Sequence, residues 1–457
     1  MRSERWPLAL SMMLWFLFSL VISFLFPLRA CGQTTLTLPE AIRRGLDPQV
    51  RASVALAESS RARASLVARQ SAAALLPTAE VRASGGEQTR NLATFGLGGG
   101  TGPGSGSTVP GLQLRPNFTS FDTRAAVSMT LLDLSARKTL AAARADVERT
   151  ADDLAQEQEV SAAQITRAYY DALRAEEKLA MLESNLALAR DLETAARNRL
   201  AAGTVTAVDV TRAQAQVASD ESALETARFE AEKASLTLRR WLGLPLEGEV
   251  KLMRPGTPFE EAPAPALLSI AEDRRLDLAS QLKREKVASL QVSAAQRKFL
   301  PTISGSADYG PNGLTPADAR NTRTLSLSLN VPVFDGGRRK AELSQAELAL
   351  RDEQIRTRDL RQQIRLDIQV AQRGLASTRL KARLTDAEVE LAEQQLTQSR
   401  ARLAAGLGTA LDVADAQTRL IRARDSRNLA QHQADLAQLD LVVATGSVRT
   451  FVDQQSY

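Results

Sequence analysis

Histidine and cysteine are almost missing from this chain: His432 and Cys31 are the only ones. One of each supplies neither an intrachain disulfide nor a His/Cys cluster at metal-ligand spacing. It also leaves no constellation for nucleophilic or metal-assisted catalysis, and there is no phosphate-cradling loop of the Walker type. Paired acids such as Asp152-Asp153 lie inside an uninterrupted helical stretch and read as solvated surface. We therefore expect no catalytic residue, no metal and no cofactor: the chain is not an enzyme. Charge of one sign is also lacking. The formal net charge is +5, from 58 basic and 53 acidic residues interspersed along helical faces, and so small an excess gives no reason to expect a nucleic-acid partner. Aromatics are only 4% of the residues. An alanine-rich, aromatic-poor mix suits close-packed helices better than one large globular core.

The longest hydrophobic run is at the start. Arg2 and Arg5 precede an almost wholly apolar stretch from Leu8 to Phe26, followed by Leu28-Arg29-Ala30-Cys31. Residues 1–30 read as a secretory signal peptide, although the run is also long enough to span a bilayer as a retained anchor. Cys31 has two readings: a lipid-attachment site in a lipoprotein-type box from which Arg29 departs, or a cysteine discarded with the leader or left free.

Glycine and proline are absent where it matters. Ser135 to Ala202 is 68 residues without either, and Arg338 to Ala405 is again 68, interrupted only by Gly374. At 1.5 Å per residue each predicts a helix of about 100 Å. Leu140, Val147 and Leu154 fall seven apart, as do Leu343 and Leu350, in the manner of coiled coils. The two stretches belong to an internal duplication. Arg199-Leu-Ala-Ala-Gly-Thr-Val-Thr-Ala-Val-Asp-Val210 recurs as Arg402-Leu-Ala-Ala-Gly-Leu-Gly-Thr-Ala-Leu-Asp-Val413. Gly243 and Gly446, Leu140 and Leu343, and Ile165 and Ile368 keep the same offset. Each long helix stops at a glycine, Gly203 or Gly406, and a second helix returns to about Leu242 or Thr445.

Before each long helix lies a pair of strand-like runs, about 77–84 with 118–132, and about 301–309 with 323–333. Leu325, Leu327, Leu329, Val331 and Val333 share one face, and Ala125, Val127, Met129 and Leu131 do the same. The first pair is joined by a glycine-rich loop, Gly85 to Gly111, and the second by Gly310-Pro-Asn-Gly-Leu-Thr-Pro316. Shorter helices are expected over Pro39 to Leu75 and Ala266 to Phe299. The organisation is thus a first repeat over 31–243 with long helix 135–202, a proline-rich linker over 244–265, and a second repeat over 266–457 with long helix 338–405 and a C-terminal tail.

The fold class is mainly α with membrane β: tandem long antiparallel helical hairpins plus four strands per chain. Four strands cannot close a barrel, and an open sheet edge in lipid leaves backbone groups unsatisfied at several kcal/mol each. Three copies would supply twelve strands, with Leu325, Leu327 and Leu329 towards lipid and Ser326, Ser328 and Asn330 towards a lumen. The competing reading of the pattern is a soluble β-domain with a half-buried sheet.

At this level the chain resembles the TolC-like outer-membrane factors over nearly all of its mature length. The resemblance rests on the two repeats, on the tip Ala405-Gly-Leu-Gly-Thr-Ala-Leu-Asp-Val-Ala-Asp415, and on the Leu-Thr-Leu-Pro-Glu-Ala-Ile start at Leu36. It implies a homotrimeric α-barrel with a twelve-stranded transmembrane β-barrel, in the cell outer membrane with the helical part in the periplasm. The implied function is an outer-membrane channel subunit of a tripartite efflux or type I secretion system, reached through a periplasmic adaptor and, through it, an inner-membrane pump. The implied adaptor-contact tips are Leu200, Gly203, Thr204, Val205, Leu403, Gly406 and Leu407. Asp412 and Asp415 match acids that line the periplasmic gate, though a solvated helix face would carry them as well. Asp209 is the first-repeat counterpart of Asp412, but Arg212 stands where Asp415 does, and Gly408 replaces the family's basic tip residue. The alternative function is a periplasmic adaptor, which would carry one hairpin flanked by split β-domains rather than two hairpins in tandem.

Overall fold

The structure is a computed structural model that describes residues 34–89, 117–248, 250–255 and 264–454. The leader 1–30, Cys31 and most of the glycine-rich stretch lie outside the described residues. In chain order the first half holds β1 (Thr34–Leu36), α1 (Leu38–Gly45), α2 (Ala52–Ala73), β2 (Thr78–Thr89), β3 (Asn117–Leu132), α3 (Leu134–Ala201) and α4 (Ala207–Leu242). The second holds β4 (Val250–Leu252), α5 (Ala264–Arg274), α6 (Leu276–Arg297), β5 (Thr302–Gly313), β6 (Arg320–Asn330), α7 (Arg338–Ala404), α8 (Ala410–Ala444) and α9 (Val448–Gln454).

Matched acids start the two long helices. Asp133 caps α3 by accepting from the backbone N–H of Ala136 at 2.8 Å. Asp335 accepts from the N–H groups of Gly337 and Arg339 and from Arg339 Nε at 2.7 Å. The Arg339 side chain is buried and also donates to Pro332 O, locking the passage from β6 into α7. With 68 and 67 residues, α3 and α7 each extend about 100 Å.

Both shorter helices expected ahead of the strands are broken in two. The first breaks around Asp47-Pro48, and Arg51 just after the break stacks 3.6 Å over the Trp241 ring. The second breaks at Arg275, whose guanidinium reaches Asp277, Asp367 and the Ala444 carbonyl. In each case a side chain at the break ties it to the far end of a return helix, so tertiary contacts repay the lost helical hydrogen bonds.

The sheet order is β2-β3-β5-β6, antiparallel throughout. All connections to helices leave from one end of this sheet. Register aligns the faces across all four strands: Ala79, Val127, Ala307 and Leu325 lie in one row, and Val81, Ala125 and Tyr309 in the next, which ends on the charged Arg323. The opposite face is polar. There Arg124 bridges Asp122 and Asp308 at 2.7 and 2.8 Å, and Ser306 pairs with Ser326 at 2.7 Å. The apolar face is bare, with Leu325 87% exposed.

Strand ends differ from expectation. Gly85 and Gly86 belong to β2, and Gly310 to Gly313 belong to β5, rather than to loops. At Gly310 a Cβ would lie 2.0 Å from the Thr123 carbonyl oxygen, so glycine is there for the close approach of β3, not for a turn. Conversely, β6 stops at Asn330, ahead of Pro332. The stretch 244–265 is also more than a linker: it holds β4, which pairs in parallel with β1.

Below the sheet, α3 packs against α2, α4, α6 and α8, and α7 against α5, α6 and α8. The largest core surrounds Tyr169, which is fully buried with Leu36, Leu38, Ile165, Leu238 and Val442. Its hydroxyl contacts the Leu36 carbonyl oxygen at 2.9 Å and accepts from the Met253 N–H at 2.9 Å, pinning the β1–β4 pair to the middle of α3. A second core packs Ile364, Ile368 and Leu375 of α7 against Leu441 of α8, Leu267 of α5 and Leu278 of α6. No helix among the described residues is long and apolar enough to cross a membrane.

Candidate functional site

Two tight turns end the hairpins, at 202–206 and 405–409. In each a glycine past the helix end adopts a left-handed backbone, φ 74° at Gly203 and 73° at Gly406. Nothing lies within 4 Å of a Cβ built on either, so the backbone angle alone selects glycine there. The Thr204 and Leu407 N–H groups close back on the Arg199 and Arg402 carbonyls, each at 2.9 Å, as in a Schellman motif. Gly203 donates to Leu200 O and Gly406 to Leu403 O.

The return helices start with matching capping boxes. Asp209 Oδ2 accepts from the Thr206 N–H at 3.0 Å and hydroxyl at 2.8 Å; Asp412 Oδ2 accepts from the Thr409 N–H at 2.8 Å and hydroxyl at 2.9 Å. These donors hold both carboxyls below the usual carboxylate range. Arg212 lies 3.6 Å from Asp209.

The tip residues are not equivalent. Leu200, Gly203, Thr204, Gly406 and Leu407 are exposed, Leu407 most of all among the apolar ones, whereas Val205 and Leu403 are half-buried. Leu403 packs with Leu188, Leu192, Leu396 and Val413, between the hairpins. Asp412 and Asp415 also face different surroundings. Asp412 turns back on its own turn, while Asp415 lines a groove of 470 Å³ between α3, α4, α7 and α8. That groove brings together Val205, Leu403, Asp209 and Asp415 with residues that spacing did not single out, chiefly Arg199, Arg400 and Gln417. The duplicated motif includes Arg199 but assigns it no role, and nothing marks Arg400 or Gln417, because the groove exists only where the two hairpins meet.

Paired hairpins, a four-stranded sheet with one bare apolar face and a shared tip define the class, an outer-membrane channel subunit built from two repeats. The chain belongs to the outer membrane efflux protein family, whose model matches residues 46–244 and 267–447. That family consists of channel proteins, not enzymes. Outer membrane efflux protein BepC of Brucella suis is 26% identical over 314 residues, 68% of each chain. Outer membrane protein TolC of Vibrio cholerae is 26% identical over 62% of this chain and 67% of its own. Pyoverdine export outer membrane protein OpmQ of Pseudomonas aeruginosa is 29% identical, and the match spans only 54% of its length. In fold, the outer membrane protein VceC of Vibrio cholerae superposes with a TM-score of 0.75 over 90% of this chain and 96% of its own, at 19% identity. Two tandem hairpins, and relatives that are outer membrane channels, give the adaptor alternative no support.

Proposed function

We propose that three copies of this chain close into one passive conduit, with twelve strands sealing a pore in the outer membrane and the helical tube extending through the periplasm. The carrying observation is the pair of unpartnered lateral edges. One edge consists of β6 and α7, the other of β2, α2 and α4. Along α7, Leu348, Ile355, Leu366, Val370, Leu380, Leu384 and Leu391 lie on one stripe and are exposed. On the opposite edge Leu66, Val208, Phe229 and Leu236 are exposed too. Edges that differ from each other form head-to-tail contacts, which end only when a ring closes. Closure also removes the two open strand edges that lipid would penalise. Strands of 11 to 16 residues are long enough for the roughly 9–11 that cross a bilayer at a tilt.

In this reading the exposed tips Leu200, Gly203, Thr204, Gly406 and Leu407, with the half-buried Val205 and Leu403, meet the hairpins of a periplasmic adaptor, which couples the conduit to an inner-membrane pump. Asp415 lines the periplasmic entrance, and Asp412 serves the gate by fixing the turn beside it. Cys31, when acylated, anchors the mature N-terminus. The family and the fold support efflux or secretion as the use of the conduit. The test is single-channel conductance of the purified protein in planar bilayers together with its oligomer mass. Discrete conductance from a particle of three chains is expected; a water-soluble monomer without conductance would end the proposal.

A further inference from the structure

We propose that the groove between the two hairpin tips is a binding site for a small anionic amphiphile, an apolar chain ending in a carboxylate or sulfate. Its volume of 470 Å³ falls within the roughly 300–1,000 Å³ of small-ligand sites. One part of the lining is apolar: Leu192, Leu403, Leu411 and Val413, with alanines between them. Such a wall takes a hydrocarbon body and offers nothing to a hydrophilic solute.

The polar part of the lining has a surplus of donors. Gln417 is 3% exposed, and its Nε2 has no hydrogen-bond acceptor among the described residues. A buried amide donor left without an acceptor is costly, so a ligand oxygen that reaches it binds with that advantage. Arg199 on α3 and Arg400 on α7 line the same groove and have no ion-pair partner among the described residues. The lining also holds Arg212 and two acids. Asp209 is already engaged by Thr206 and Arg212, whereas Asp415 on α8 has no such partner and repels an anion. The charged end of the ligand is therefore assigned to Arg199 and Arg400, which carry the unengaged positive charge of the lining. The bound molecule touches α3 and α4 of one repeat and α7 and α8 of the other, so occupancy fixes the spacing of the hairpins. The inference rests on the groove alone and stands whether or not the chain conducts.

Radiolabelled decanoate is the probe, in equilibrium dialysis against the full-length protein in lipid nanodiscs, with empty nanodiscs subtracted. Saturable binding of one decanoate per chain is expected. Arg400→Glu, a change at an exposed position, should weaken it at least tenfold, as should Leu403→Trp, which fills the groove. Gln417→Leu should weaken it with helix content unchanged. Decyltrimethylammonium, with the same chain and the opposite charge, should show no saturable component. The proposal is overturned if no decanoate binds beyond lipid partition, if Arg400→Glu binds like the unaltered chain, or if the cation binds equally well.

Discussion

The α7 stripe makes the ring reading measurable. Its seven large apolar side chains are between 47% and 65% exposed in the single chain. Burying a Leu, Ile or Val side chain completely contributes about 1.5–3 kcal/mol, so covering the exposed half is worth about 1 kcal/mol each. Each seam then supplies about 7 kcal/mol towards association, against a cost of about 4–15 kcal/mol for lost translational and rotational freedom. The helical part is thus a substantial but not excessive contributor beside the sheet. Leu366→Asp combined with Leu384→Asp removes about 2 kcal/mol of burial per seam, or about 6 kcal/mol over three seams, before any penalty for enclosing the new carboxylates. At 1.4 kcal/mol per factor of ten, the assembly constant falls by about four orders of magnitude. Sedimentation in mild detergent over a dilution series reads that shift as oligomer mass, with Arg361→Asp, an exposed position off the stripe, as the control. Both positions are exposed in the single chain, so helix content should not change. If the double variant dissociates at the same concentration as the control, the stripe is not an interface and the ring argument fails.

Tyr169→Phe removes a buried hydroxyl that bonds the Leu36 carbonyl and the Met253 N–H, groups that keep a 3.3 Å bond to each other; at about 0.5–1.5 kcal/mol for each hydroxyl bond lost, the unfolding temperature in detergent should drop, and an unchanged melt would refute the pinning role. Burial, with a smaller contribution from Glu177, pushes the Glu176 carboxyl up to about 7, so the folded state binds a proton there that the unfolded state releases. Its contribution to stability is full below the ordinary carboxylate value and is lost as pH rises through about 7; Glu176→Gln should flatten that part of the stability profile and leave the protein more stable at pH 8 than the unaltered chain. Gly310→Ala drives a methyl into the Thr123 carbonyl and should abolish heat-resistant oligomers, whereas Gly86→Ala, with open space around it, should be neutral on the same gel. Asp412→Ala should speed proteolysis at the second tip, and Asp415→Ala should not. The Asp412 carboxyl lies below the usual range, so its capping contribution is complete at neutral pH and lost as pH falls through the folded value; a tip equally protected at pH 7 and pH 2 would contradict this.

Long helices and alternating strands were legible because each follows from a pattern many residues long. Sixty-eight positions without a breaker leave few alternatives to helix, and Leu325, Leu327 and Leu329 fall on one face in any register. Elements that depend on one contact were not legible. The β1–β4 pair is three residues long and parallel, between segments more than 200 positions apart, and periodicity carries no trace of such a contact. Glycines misled for a related reason. Gly310 looks like a turn signal but accommodates a neighbouring strand, and only the register of β3 against β5 reveals the difference. The break at Arg275 depends on Asp367 and Ala444, both distant in sequence. At the tip, turn chemistry was readable from Gly406 and Asp412, but the groove was not, since its walls come from both repeats.

The duplication itself separates structural acids from the others. Thr206 with Asp209 and Thr409 with Asp412 perform the same capping in both copies, at distances that agree within 0.2 Å. An acid kept at this helix position in both repeats is accounted for by the needs of the turn, whatever else it does. The next helical turn is where the copies part: Arg212 closes on Asp209, while Asp415 has no counterpart acid and no such partner among the described residues. A feature required for folding has to appear in each hairpin, because each hairpin must fold. A feature that acts once per chain need appear only once, and in a ring of three it would recur at one level around the axis. By that reasoning Asp415, rather than Asp412, is the acid whose removal should alter passage through the entrance while leaving the tip intact.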